Sequence, residues 1–593
     1  MIPLWGTSTA PSPTLSLDFV GATSLDAGIT FSRGSQATLF NSAGTLVYAK
    51  HNLFLQSQFA SSWLFSNASF TGTTTAPDGT NTGQVLNDSS AAAAGYLYQG
   101  VNVVSGAAYE FSVFAKPVGF TSFYIQNFTQ TGGVTFTLTG SGSAAAPTGT
   151  FSNAVITAVG DGWYRCSATF TATGTASTNF GISTNSSVFT GDAWAIWGAQ
   201  LNLAGMEGGV TSSLATYYPT TTAAYYAPRF DYNPSTLAAQ GLLIEEQRTN
   251  SIRNNTMQGA VAGTPGTVPT NWLVDTTGGV FTRTISGPST ESGITYIDIQ
   301  IQASAGGTFV IRPEPGTQVA ALVGQVWTNT AYVKLAAGSL TNATCSIRIR
   351  ENDAGGSILS EGTVNFTPTS AGLSTQRPVI TRTLASATVA FIQPRIEIIF
   401  SGAGDLTLRI GLPQLEQGAF ATSVIPTTTT ALTRNADVAS MTGTNFSSWF
   451  NSVQGTIFAE FLRNTTPAAS TFPQFVNIDD GTVNNRLALS TNSSRNLRGQ
   501  VAIASVFTTI ATANAYTEGV ASKLALGYQA LNHAAVANGG AAATDTTVNV
   551  PSGLTTMRLG DQAGGFANVN GYLRRIAYYP VRLPGSTLQA LTA

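Results

Sequence analysis

Charge is what this sequence has least of. Of 593 residues, 26 are Lys or Arg and 28 are Asp or Glu, 9% in all, where a soluble domain carries about 25%. Only four are lysines: Lys50, Lys116, Lys334 and Lys523. So little charge would suit a membrane protein, yet no stretch reaches the roughly 18 unbroken apolar residues of a spanning helix. A net charge of −2 with no basic run argues against nucleic acid, whose backbone is held chiefly by positive charge. Two cysteines, Cys166 and Cys345, are too few for a disulfide framework and too isolated for a zinc site. Two histidines, His51 and His533, leave little from which to build a nucleophile, base and orienter. GxSxG, P-loop and HExxH patterns are all missing. The start, Met1 to Pro11, lacks the basic and apolar regions of a secretory signal, so synthesis in the cytoplasm without a signal peptide is expected.

What is present is strand material. Apolar residues make 43% and aromatics 10% of the chain, and their period is two almost throughout. In Tyr164 to Phe170, the residues Tyr164, Cys166, Ala168 and Phe170 are expected to face a core and Arg165, Ser167 and Thr169 to face water. Gly/Asn/Asp/Ser/Thr clusters between such runs read as turns. The fold class is therefore all-β, built of antiparallel sandwiches. An internal repeat organises it. Gly106, Tyr109, Phe114 and Lys116 have the spacing of Gly324, Trp327, Tyr332 and Lys334. Trp63-Leu64 answers Trp272-Leu273, and Ala199-Gln-Leu-Asn202 answers Pro413-Gln-Leu-Glu416. The expected units are an N-terminal attachment segment and hairpin (1–50), a first sandwich (51–222), a hairpin linker (223–250), a second sandwich (251–432) and a different all-β unit (433–593). Turns are expected at Asn41 to Gly44, at Asn233-Pro234 and at Gly241.

Three sets of residues carry a resemblance. Phe31-Ser-Arg-Gly-Ser35, Pro228-Arg-Phe-Asp-Tyr-Asn-Pro234 with Gly241 to Asn250, and Arg434-Asn-Ala-Asp437 resemble linker modules of tailed-phage fibre and head-spike proteins. The repeats look like the carbohydrate-binding-module-like jelly rolls that such proteins carry in tandem. Gly455 to Glu460, Lys523 to Tyr528 and Asn570 to Pro580 resemble a laminin-G/concanavalin-A-like lectin sandwich. The second repeat departs from the first at Ser251-Ile-Arg-Asn-Asn255, a more polar strand start than Leu53-Phe-Leu55. The resemblance implies an elongated virion appendage, a tail or head fibre, attaching to host-surface glycans. It also implies homo-oligomers, commonly trimers, docked on other virion proteins through the N-terminus, with Trp5 in the docking segment.

Candidate ligand residues follow from sugar chemistry, in which an aromatic ring takes the C–H face and amides or carboxylates take the hydroxyls. Trp194 is expected on the strand face opposite the core stripe of Trp197, under a neighbouring subunit or loop, or against glycan. Asp479 and Asp480 read as a turn, or as ligands of calcium or sugar hydroxyls. Asn538, Asn568 and Asn570 are expected at turns, where their amides suit sugar hydroxyls, although Asn570-Gly571 is also a hairpin signal. No cofactor is expected apart from that calcium. Glycoside hydrolysis needs two facing carboxylates. Glu245 and Glu246 alternate across a strand, which sends one to a neighbouring arginine and the other to solvent. The expectation is a non-enzymatic binder, with a glycan-depolymerising tailspike and a receptor-less capsid decoration protein as alternatives.

Overall fold

The computed structural model describes residues 12–90, 93–183, 193–211, 213–468 and 471–593. The first eleven residues of the expected docking segment, with Trp5, lie outside the described residues. Of the described residues 52% are strand and 3% helix, all of their sheets are antiparallel, and no helix among them is long and apolar enough to cross a membrane.

The two repeats have one strand order, apart from an extra edge strand, Phe151–Gly160, in the first. In the first, a sheet of Phe151–Gly160, Trp163–Thr171, Ala108–Pro117, Ala193–Leu203, Gly83–Asp88 and Ala68–Thr74 faces a second sheet. That second sheet runs Gly132–Thr137, Ser122–Asn127, Ala176–Ser183, Tyr96–Val103 and Leu64–Ser66, with two-residue strands on its edge. In the second repeat the facing sheet runs Ile358–Phe366, Ala343–Asn352, Phe391–Phe400, Gly307–Arg312 and Leu273–Gly278, the same order. The repeated glycines explain themselves. Gly106 and Gly324 have φ of +80° and +82°, a turn conformation that side chains resist.

Two inward-outward expectations change for physical reasons. Trp194 is in the core, 1% exposed among Ile196, Ala199 and Leu201, while Trp197 packs on the other side with Phe114, Trp163 and Tyr217. The cause is a bulge at Gly198, where pairing with Ala108–Pro117 shifts between Ser112 and Phe114 and φ is +63°. One extra residue inverts the alternation downstream of it. Arg165 is 2% exposed rather than facing water, because the segment after the last strand crosses its face. Its Nη1 donates to the Thr211 carbonyl at 2.6 Å and its guanidinium covers the Phe114 ring.

The segments between the sandwiches take part in the third unit. Its larger sheet contains Arg229–Tyr232 and Ala239–Ile244, which continue onto Gly571–Tyr579, and Leu15–Asp18 pairs with the same strand. Thr30–Ser32 borders the opposite sheet at Val438–Thr442. Leu17, Phe19, Ile29, Phe230, Leu242 and Ile244 accordingly enter the same core as Phe461, Phe475 and Leu573. A lone hairpin cannot bury its apolar face, so it docks on an open sheet edge. The turns at Asn41 and Asn233 form as expected, whereas Gly241 lies inside the strand Ala239–Ile244, where its φ of +119° accompanies a pairing shift rather than a turn. Asn41 Oδ1 accepts from the Ala43 and Thr45 amides at 3.0 Å, and Asn233 Oδ1 from Ser235 at 2.8 Å and Thr236 at 3.0 Å.

Buried charge locks this junction. Arg33, Arg229 and Arg434, one from each linker motif, share Glu245 and Asp437. Arg33 Nη1 meets Asp437 and Arg229 Nη1 meets Glu245, both at 2.8 Å, while Arg229 also pairs with Asp437 and Arg434 with Glu245. Burial pushes the Glu245 carboxyl up, but Arg434 and Arg229 outweigh it and hold it at about 2. Nearby, Asp231 accepts from the Phe40 amide at 2.6 Å and the Tyr572 hydroxyl at 2.8 Å, and burial raises it to about 6. The rare charges of this chain are concentrated where units must meet in one register.

Candidate functional site

The clearest site is the outer face of the second sheet of the first jelly roll. Strands Tyr96–Val103, Ala176–Ser183 and Ser122–Asn127 turn Leu97, Phe180, Ile182, Phe123 and Ile125 into the core. The alternate positions form two rows across the sheet: Leu64, Tyr98, Gly181, Gln126 and Gly133, then Ser66, Tyr96, Ser183, Tyr124 and Thr135. Phe128 follows at the end of its strand. Its ring lies 4.7 Å from that of Tyr96 and 5.9 Å from that of Tyr98.

Two glycines make the face a platform. A Cβ on Gly181 would stand 2.2 Å from the Phe128 ring, and one on Gly133 would stand 2.5 Å from the Tyr124 hydroxyl. Both rings thus lie down along the sheet, over positions with no side chain. The tyrosine rings are half-buried, and the hydroxyls of Tyr96, Tyr98 and Tyr124 have no hydrogen-bond partner among the described residues. Gln126 Nε2 donates to Ser183 Oγ at 2.7 Å, which holds the amide beside the rings. Neither row contains a charged residue. The arrangement offers flat apolar surface, hydroxyls and an amide, the chemistry that receives a sugar ring.

The second jelly roll fills the equivalent rows differently. Asp275, Val310, Glu397, Ser346 and Asn365 stand where the Tyr96 row stands, and Arg395 and Arg348 occupy the places of Gly181 and Gln126. Arg348 reaches Glu397 at 2.8 Å and Glu361 at 3.2 Å, and Arg350 reaches Glu361 at 3.2 Å. Arg395 reaches Glu397 at 3.1 Å and Glu361 at 3.3 Å. This face is a ladder of ion pairs that occupy one another.

The residues singled out in the sequence are dispersed. The Trp194 indole N–H donates to the Ser122 carbonyl at 2.8 Å inside the core. Asp479 is buried, and its carboxylate accepts from Arg558 Nε at 2.8 Å and Asn477 Nδ2 at 2.9 Å; burial raises its pKa against the pull of Arg558. Asp480 closes a turn by accepting from the Thr482 amide at 2.9 Å and hydroxyl at 2.6 Å. Among the described residues no three His, Cys, Asp or Glu side chains gather as a metal site. Asn538 is exposed, with φ of +46°, and its Oδ1 accepts from the Lys523 amide at 2.8 Å. Asn570 bonds both ways with Glu246, at 2.8 and 2.9 Å, and shares a cleft with Asn568. His51, considered as a base, is buried and bonded to backbone at both ring nitrogens, and burial lowers it to about 4.

The platform escaped the sequence reading because Tyr96, Tyr98, Tyr124 and Phe128 look like core residues. The signal was there: Tyr-Leu-Tyr and Phe-Tyr-Ile-Gln-Asn-Phe are apolar on both faces, which an exposed sheet face does not require.

No protein-family model and no curated protein matches the chain. Among solved structures it is similar to the CBM40 module of the Ruminococcus gnavus IT-sialidase, at 17% identity over 25% of this chain and 88% of that one, with a TM-score of 0.22. It is also similar to the CBM22-1–CBM22-2 tandem of Paenibacillus barcinonensis Xyn10C, at 9% identity over 63% and 98%, with a TM-score of 0.21. Domains LG4-5 of the mouse laminin α1 chain match at 8% identity over 44% and 85%, with a TM-score of 0.17. Similarity at this level identifies no family.

Proposed function

We propose that this chain is a surface appendage of a tailed-phage virion that attaches to host-surface glycans through the platform of Tyr96, Tyr98, Tyr124 and Phe128. The platform carries the reading. A pyranose presents a C–H face that lies on aromatic rings, and its hydroxyls meet the tyrosine hydroxyls and Gln126. Without charge in either row, the sugar taken here is neutral. The linker motifs support a place on the virion, as a homo-oligomer, a trimer, docked through its N-terminus. Glu245, Glu460 and Asp479 are each tied to arginines, which speaks for binding without cleavage; incubation with capsular or lipopolysaccharide glycan is expected to leave the polymer at full length. The deciding experiment is binding of the full chain to host cells and a glycan array. Tyr98→Ala and Tyr124→Ala are each expected to weaken binding about tenfold or more, the effect of removing an anchoring aromatic. Binding indifferent to both substitutions would sink the reading, and imaging of labelled particles tests the place on the virion.

A further inference from the structure

A cleft of about 690 Å³ opens between the exit of the linker, the second jelly roll and the third unit. Arg248, Trp327, Arg463, Phe566, Asn568 and Asn570 are among its lining residues. Its buried unpaired side-chain atoms are all of one kind. Among the described lining residues, the buried side-chain atoms without a hydrogen-bond partner are Arg248 Nε, Arg463 Nε and Nη1, and Asn568 Nδ2. All four are donors, and among the described lining residues no buried side-chain oxygen is left without a partner. The Glu246 carboxylate also lines the cleft but is taken by Arg248 and Asn570, so these buried donors are left without an acceptor.

Arg463 is the sharpest of them. Three arginine side chains rank among the largest fully buried ones, Arg229, Arg434 and Arg463. The first two meet carboxylates. Arg463 has one long hydrogen bond, from Nη2 to Thr465 Oγ1 at 3.4 Å, and the Tyr516 ring 5.8 Å away. Burial lowers its pKa, and Glu246 and Glu518 act on it only from a distance. A buried guanidinium without a counterion is costly, and an anion in fork contact removes the cost. The cleft is larger than an inorganic anion needs. Trp327 and Phe420 line it, and Phe566, 85% exposed, stands at its rim.

We infer that this cleft binds an acidic saccharide, its carboxylate received by Arg463 and Asn568 and its ring lying against Trp327 and Phe566. The inference rests on the glycan-binding reading and assigns a second, anionic determinant away from the neutral platform. Calorimetry on the full chain tests it with a galacturonic acid trisaccharide, its fully methyl-esterified counterpart and inorganic phosphate. The acid is expected to bind at least about tenfold more tightly than the ester, since charge-assisted bonds carry the difference. That gap closes in Arg463→Met and in Asn568→Ala, and persists in Tyr98→Ala. Arg463→Met is expected to fold with an undiminished melting temperature, because it removes an uncompensated charge; Asn568→Ala serves if it does not. Equal binding of acid and ester, a gap that survives both cleft substitutions, or binding of phosphate with none of the trisaccharide overturns the inference. Host-glycan binding that depends on Tyr98 in the absence of the gap would retire the cleft alone. A gap that depends on Arg463, with Tyr98 and Tyr124 dispensable for host-glycan binding, would retire the platform alone.

Discussion

The two jelly rolls share strand order, the Trp-Leu entry and the glycine turn, and they differ in almost everything outside that frame. The first is packed with aromatics, among them Phe111, Phe123, Phe136, Phe170 and Phe180. The second is packed with isoleucines, among them Ile297, Ile299, Ile301, Ile396 and Ile398. Residues 251–432 contain twenty charged side chains against eight in 51–222, and the excess includes the arginine-glutamate ladder. A sandwich asks only that inward positions be apolar and of fitting volume. Outward rows are free, and one copy leaves rings open while the other pairs its charges.

The largest expected effect falls where the copies do not differ, at the ionic junction. Glu245, shifted from 4.5 to about 2, and Asp437, also held low by Arg229 and Arg33 against burial, stabilise the fold above their unfolded values. That stability is lost as pH falls through the folded values. Asp231 runs the other way: raised to about 6 by burial, it contributes stability at low pH that is lost as pH rises from about 4 to 6. Thermal melts are expected to improve slightly on going from pH 6 towards 4.5 and then collapse towards pH 2, with both jelly rolls released together. Asp231→Asn should remove the improvement.

Next comes the ladder. Glu361→Ala takes a partner from Arg348, Arg350 and the nearly buried Arg395, and is expected to cost about 3 kcal/mol in chemical denaturation. Tyr124→Ala, at the equivalent face of the first copy, is expected to cost less than about 1 kcal/mol of stability while weakening glycan binding. Equal stability losses would erase the distinction between a structural and a binding face. Gly181→Arg, which gives the first copy the residue of the second at that place, collides with the Phe128 ring. It should abolish platform binding and cost roughly 1–3 kcal/mol. Smallest is salt. Raising ionic strength to about 1 M should weaken the ladder by a few tenths of a kcal/mol and leave affinity at the uncharged platform unchanged.

Legibility followed locality. Turns at Asn41 and Asn233 were readable because the side chain closes the turn on its own neighbours. Glu245 and Glu246 are expected to alternate across a strand; the strand ends at Ile244, just before them, and the two still part, one buried against arginines and the other half-exposed beside Arg248. Trp194 was misplaced because a single bulge residue, Gly198, reverses alternation without leaving a composition signal. Arg165 was misplaced because a distant segment covers its sheet face. A strand is readable at Leu242 to Glu246 and runs from Ala239 to Ile244, but its partner, Gly571–Tyr579, is more than three hundred residues away, and edge pairing has no local mark.

The sequence by itself determined the strands, the duplicated sandwich and the scarcity of charge, since these depend on period, spacing and composition. Only the tertiary structure decided where the few charges go and which aromatics stay open. Five ionisable groups from three linker motifs converge because buried charges must find each other across the fold. Tyr96, Tyr98, Tyr124 and Phe128 differ from the core rings beside them only in which side of a sheet they occupy, and that is set by pairing and register rather than by residue type.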